Sequence, residues 1–61
     1  MIVLLSDFGM ADGYVAAMKG VIARVAPNEV ILDATHDIPP QDIAGGAWAL
    51  ANYLSFYPPG T

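Results

Sequence analysis

Apolar residues change their spacing three times along the 61-residue chain, and the changes mark out four elements. Ile2-Val3-Leu4-Leu5 is an unbroken, partly β-branched apolar run that ends at Ser6-Asp7-Phe8-Gly9. A short run without alternation is the pattern of a strand covered on both faces, and it predicts a central parallel strand. From Tyr14 the apolar positions fall at Tyr14, Val15, Met18, Val21, Ile22 and Val25, the i, i+3, i+4, i+7 spacing of one helical face. Lys19 and Arg24 are expected to point away from that stripe. Asp12 stands where its carboxylate could cap the helix, and Pro27-Asn28 stops it.

Val30-Ile31-Leu32 repeats the buried-strand pattern and completes a βαβ unit with two parallel strands. Thr35-His36-Asp37-Ile38-Pro39-Pro40 cannot continue a central strand, because two prolines remove two donors, so it is expected to be a shaped loop. A second helix is predicted from about Gln41 to Phe56. Its apolar residues surround most of the helix, which calls for cover on more than one side. The Gly45-Gly46 pair inside it suggests close approach by another backbone. Tyr57-Pro58-Pro59-Gly60 breaks the helix, and Thr61 stands where a third strand should begin. The fold class is therefore α/β: the β-α-β-α start of a parallel-sheet, Rossmann-like domain whose continuation is missing.

Composition sharpens this picture. Hydrophobic residues make up 56% and charged residues 13%, against about 25% charge in an ordinary soluble domain, so the segment expects neighbours. The same figures exclude disorder. A formal charge of −4 repels phosphate backbones, which argues against nucleic acid as a partner. No run is long enough for a membrane span, and the charged Asp7 follows the first apolar run too soon for a signal peptide. The absence of cysteine removes thiolate chemistry and fits a reducing, cytoplasmic setting.

In parallel α/β sheets ligands bind beyond the carboxyl ends of the strands, where Asp7, Asp33 and the His36-Asp37 pair fall. The turn Ser6 to Gly13 lacks the G-x-G-x-x-G spacing and a Walker lysine, and its two carboxylates would repel a pyrophosphate. Two acids favour a cation, or a sugar diol that donates hydrogen bonds to a carboxylate. For Asp7 the plain structural alternative is an Asx-turn, and for Asp12 a helix cap. Asp7-Phe8-Gly9 spells the magnesium-binding tripeptide of protein kinases, but the lysine strand and catalytic loop that go with it are missing. No H-x-x-x-H or D-x-D-x-D spacing supports a metal among Asp7, Asp12, Asp33, His36 and Asp37. His36, the single histidine, is expected to brace its loop beside Asp37.

Ser6-Asp7-Phe8-Gly9 with Asp12, Tyr14-Val15, Met18-Lys19-Gly20-Val21, Thr35-His36-Asp37-Ile38-Pro39-Pro40-Gln41-Asp42 and Tyr57-Pro58-Pro59-Gly60-Thr61 occur in order along the chain. Together they resemble the S-adenosylmethionine hydrolases, or hydroxide adenosyltransferases, and their fluorinating and chlorinating relatives. The resemblance covers the whole chain and implies the first quarter or so of an enzyme that cleaves S-adenosylmethionine at its 5′-carbon, releasing methionine. It implies substrate binding by Asp7, through both ribose hydroxyls, and by Asp12, near the methionine amino group. Gln41 falls where the fluorinating enzymes place a tryptophan near the ribose, which together with Tyr14 leans towards water over halide. The resemblance further implies no metal or redox cofactor, a homotrimer with the ligand between subunits, and water-activating Asp, Arg and His residues downstream of this segment. The alternatives are a halogenase of the same family and a non-catalytic interaction module that uses the apolar face of the second helix.

Overall fold

In the computed structural model, which describes residues 1–61, the elements run β1 (Ile2–Leu5), α1 (Tyr14–Val25), β2 (Ile31–Thr35) and α2 (Ile43–Tyr53), followed by a 3-10 turn at Leu54–Phe56. β1 and β2 pair in parallel, as the βαβ pattern requires. Register runs Ile2 to Ile31, Val3 to Leu32 and Leu4 to Asp33, and then slips so that Leu5 faces Thr35. Ala34 is thus an extra residue in β2, a bulge that resets the side-chain alternation beyond it. The second strand starts one residue later than Val30 and continues through Thr35 into what the prolines suggested was loop. The prolines act only from Pro39, beyond the last pairing residue.

The chain forms a flat layer of 31 × 30 × 13 Å with a radius of gyration of 12.1 Å. A compact domain of this length would have a radius near ~10.5 Å. Only four residues are buried: Leu4, Val15, Ala49 and His36. β1 is accordingly half-covered rather than enclosed on both faces, since this chain supplies one neighbouring strand and two helices. On α1 the covered stripe narrows to Val15, Met18 and Ile22, while Tyr14, Val21 and Val25 lie in the open. Along and after α2, Ile43, Trp48, Leu50, Leu54 and Phe56 are exposed, so residues 1–61 do not supply the cover that its composition calls for.

The helix starts correct two expectations. Asp12 does not cap α1: the N-cap is Gly13, with no side-chain hydrogen bond. α2 begins at Ile43 rather than Gln41, because Asp42 is its cap and accepts from the Gly45 N–H at 2.9 Å. That cap also explains Gly45. A Cβ there would collide with Asp42 Oδ2, so the glycine makes room for the capping carboxylate rather than for another backbone. At Gly46 a Cβ would meet Ile38 and Leu5 at 3.8 Å, an ordinary contact. Gly46→Ala is expected to stabilise the folded protein by ~0.5–1 kcal/mol. Gly45→Ala is expected to gain nothing or to destabilise, because the displaced cap costs about as much as the helix propensity supplies. Urea denaturation of the two variants separates these outcomes.

Candidate functional site

The carboxyl end of β1 opens on a crevice of about 200 Å³. Its wall is built from two stretches, Leu5-Ser6-Asp7 at the end of β1 and Ile38-Pro39 with Gln41-Asp42-Ile43 leading into α2, together with Gly46. The sequence places Asp7 and Gln41 on different elements, and the fold brings them to the same crevice. Asp12 is exposed and is not among the lining residues.

Asp7 sits on a turn that is held at both sides. The Ser6 N–H donates to the Thr35 carbonyl at 3.0 Å, and the Gly9 N–H donates to the His36 carbonyl at 2.7 Å. Gly9 takes a positive φ of 68°, which a residue without Cβ adopts freely. The Asp7 side chain is exposed and enters none of the chain's ion pairs. Phe8 and Tyr14 pack beside the turn with ring centroids 5.7 Å apart.

Gln41 is held by a tight turn. The Asp42 N–H donates to the Pro39 carbonyl at 3.0 Å, Pro40 takes the second position, and Gln41 takes the third with φ 62°. That is the pattern of a type II turn, whose third position ordinarily belongs to glycine. A glutamine there stores ~1–2 kcal/mol of strain at the rim of the crevice.

Behind Asp7, the sequence-based reading found His36 but not its partners. The ring is 4% exposed and is bound on both nitrogens. Nδ1 lies 2.6 Å from Ser6 Oγ, and Nε2 lies 2.7 Å from Asp33 Oδ1. Asp37, the expected companion, instead donates its backbone N–H to Thr35 Oγ1. Asp33 lies inside β2 rather than past its end, and the bulge at Ala34 turns it to the same side as His36. Lys19 does not point away from the core: its ammonium reaches Asp33 Oδ2 at 2.6 Å. No three His, Asp or Glu side chains stand together as a metal-ligand set.

The hydrogen bond from His36 and then that from Lys19 hold the Asp33 carboxyl below its ordinary value of 3.8. Because the native pKa is the lower one, the unfolded chain binds this proton more readily. The stabilisation is fully present above pH 3.8 and is lost as pH falls through the depressed native value. Asp33→Asn is expected to flatten the acid limb of the protein's stability profile below about pH 4. Circular dichroism across an acid titration reads it.

Fold and crevice define the class: the opening β-α-β-α layer of a parallel α/β domain with an acidic crevice at the carboxyl end of its first strand. The chain belongs to the SAM hydroxide adenosyltransferase family, whose N-terminal domain model matches residues 2–61. It is 47% identical over 53 residues to the (R)-S-adenosyl-L-methionine hydrolase of Salinispora arenicola, covering 87% of this chain and 20% of that protein. It is 46% identical over 56 residues to the enzyme of the same name from Thermus thermophilus, covering 92% and 22%. A fluorinase from Actinoplanes sp. is 34% identical over 61 residues, covering 100% and 20%. The chain thus spans about one fifth of the length of these relatives. None of its helices is long and apolar enough to cross a membrane.

Proposed function

We propose that residues 1–61 are the N-terminal part of the substrate-binding α/β domain of an S-adenosylmethionine hydrolase, a homotrimer of the cytoplasm. The observation that carries this reading is Asp7, an unpaired carboxylate at the end of β1 lining an open crevice. A ribose diol supplies two hydroxyl donors to such an acceptor, and a sulfonium is welcome in a chain of charge −4. Gln41 faces the same crevice, and its amide can both donate to and accept from a water molecule. Asp12 lies outside the crevice wall, and its proposed role is with the methionine amino group on the outer side of the Asp7 turn.

In the reaction, water oxygen attacks C5′ as the C5′–S bond breaks, and the bonding pair leaves with sulfur as the neutral thioether of methionine. One proton passes to solvent, and the products are adenosine and methionine. The leaving group needs no Lewis acid because it departs uncharged. The protein's work is to position water in line with the bond and to strip its competing solvent. The residues that do so are proposed to lie in the remainder of the protein, with His36 excluded because both ring nitrogens are already engaged.

The relatives support water over halide: the hydrolases share 45–47% identity with the chain, and the fluorinases 30–34%, apart from one hydrolase at 36%. The complete protein incubated with S-adenosylmethionine is expected to release adenosine and methionine in equal amounts. A 5′-halo-5′-deoxyadenosine formed in the presence of chloride or fluoride would assign it to the halogenase branch instead.

A further inference from the structure

A chain of hydrogen bonds runs from α1 through β2 to the turn that carries Asp7, and its directions can be worked out. An ionised Asp33 can only accept, so Lys19 Nζ and His36 Nε2 are both donors to it. The Asp33 charge is already balanced by the partly exposed Lys19 ammonium, so a charge on the buried His36 ring would stand uncompensated, and the ring is engaged as neutral imidazole. Its proton is then on Nε2. Nδ1 must accept, and the group facing it is the Ser6 hydroxyl. With its own proton committed to Nδ1, Ser6 Oγ offers a lone pair to the Phe8 N–H, 3.3 Å away. Every member has one direction, and the chain ends on the backbone next to Asp7.

His36 grips the same turn a second time, through its carbonyl and the Gly9 N–H. Asp7 and Phe8 therefore span two anchors, Ser6 and Gly9, both tied to one buried residue. We propose that His36, as the neutral Nε2–H tautomer, is the positioning residue that fixes the Asp7 carboxylate at the crevice, acting through Ser6 and the Gly9 amide. The serine, histidine and aspartate follow the order of a nucleophilic triad, but Ser6 Oγ is spent on the Phe8 amide and serves the turn rather than a substrate. An exposed carboxylate on a free turn would sample many positions, whereas a diol acceptor must be held to within about 0.5 Å.

The identity of the ligand rests on the function proposed above; the grip on the turn does not. The test therefore has two independent readouts on the complete protein. Long-range ¹H–¹⁵N correlation of the His36 ring is expected to show the Nε2–H tautomer, and Ser6→Ala is expected to speed hydrogen exchange at the Phe8 and Gly9 amides. A ring protonated on Nδ1, or unchanged exchange, overturns the proposal whatever the ligand is. For the coupling to Asp7, adenosine binding is measured by calorimetry for His36→Phe and Ser6→Ala, each with Asp7 intact and with Asp7→Ala. Each single variant is expected to weaken binding about tenfold with Asp7 present and less than twofold without it, the non-additivity of residues acting as one unit. An equal loss in both backgrounds assigns His36 a general structural role and overturns the proposal. If His36→Phe does not fold, Ser6→Ala decides alone. Failure of the unsubstituted protein to bind adenosine rejects the adenosyl reading, and the ring and exchange data still decide the role of His36.

Discussion

Asp7→Ala in the complete protein is expected to weaken S-adenosylmethionine and adenosine binding by roughly ten- to a hundredfold, the equivalent of ~1.5–3 kcal/mol for a hydrogen bond to a charged acceptor. The loss should appear with both ligands, because they share the ribose, and should be absent with free methionine. Asp7→Asn retains the shape and one acceptor but no charge, so it should fall between the two. The melting temperature should not move, since Asp7 is exposed and forms no ion pair within the chain. Unchanged affinity for adenosine in Asp7→Ala, measured by titration calorimetry, would remove the ribose assignment.

The second large effect concerns the segment on its own. Isolated residues 1–61 are expected to self-associate rather than to melt as a cooperative monomer. The folded chain exposes 4496 Å², whereas a compact monomer of its mass would expose about 3,800 Å². Much of the excess is apolar, with Ile43 at 85%, Phe56 at 81% and Trp48 at 66% exposure. The sheet has two strands, so each has an unpaired edge open to another chain. Sedimentation velocity should show oligomers that grow with concentration. A sharp monomeric species with a cooperative thermal transition would show that the layer is self-sufficient, and it would favour an interaction module over a piece of an enzyme.

What the sequence disclosed, and what it hid, follows from the range of each physical signal. Strand and helix periods are local, so β1 and the body of each helix could be read directly, and the parallel pairing followed from their order. The place of Asp7 at the crevice was legible because it directly follows the end of β1, where crevices form in parallel α/β sheets. The bulge at Ala34 was not, since one extra small residue leaves no mark on a five-residue pattern. Without it, Asp33 and His36 fall on opposite faces of a regular strand, and Asp37 looks like the natural partner. Lys19 departs from its expected direction for a related reason: a long side chain on the flank of a helix can turn to a carboxylate that only the fold brings near.

Two further misreadings have local causes. Asp12 precedes α1 as a cap would, yet Gly13 occupies the capping position and leaves the carboxylate in solvent. Asp42, directly before the apolar run of α2, carried the stronger capping signal, and it also settles why Gly45 is glycine. The positive φ of Gln41 could have been suspected from Pro40 before it, because proline at the second position of a turn invites a left-handed third. That strain stands at the rim of the crevice that Asp7 also lines.

The proposed function is tested most directly by where oxygen from solvent goes. The complete protein, incubated with S-adenosylmethionine in ¹⁸O-labelled water, is expected to yield adenosine carrying one ¹⁸O at its 5′-hydroxyl and methionine carrying none. Label in methionine, adenosine without label, or a 5′-halogenated nucleoside in its place would contradict hydrolysis at C5′.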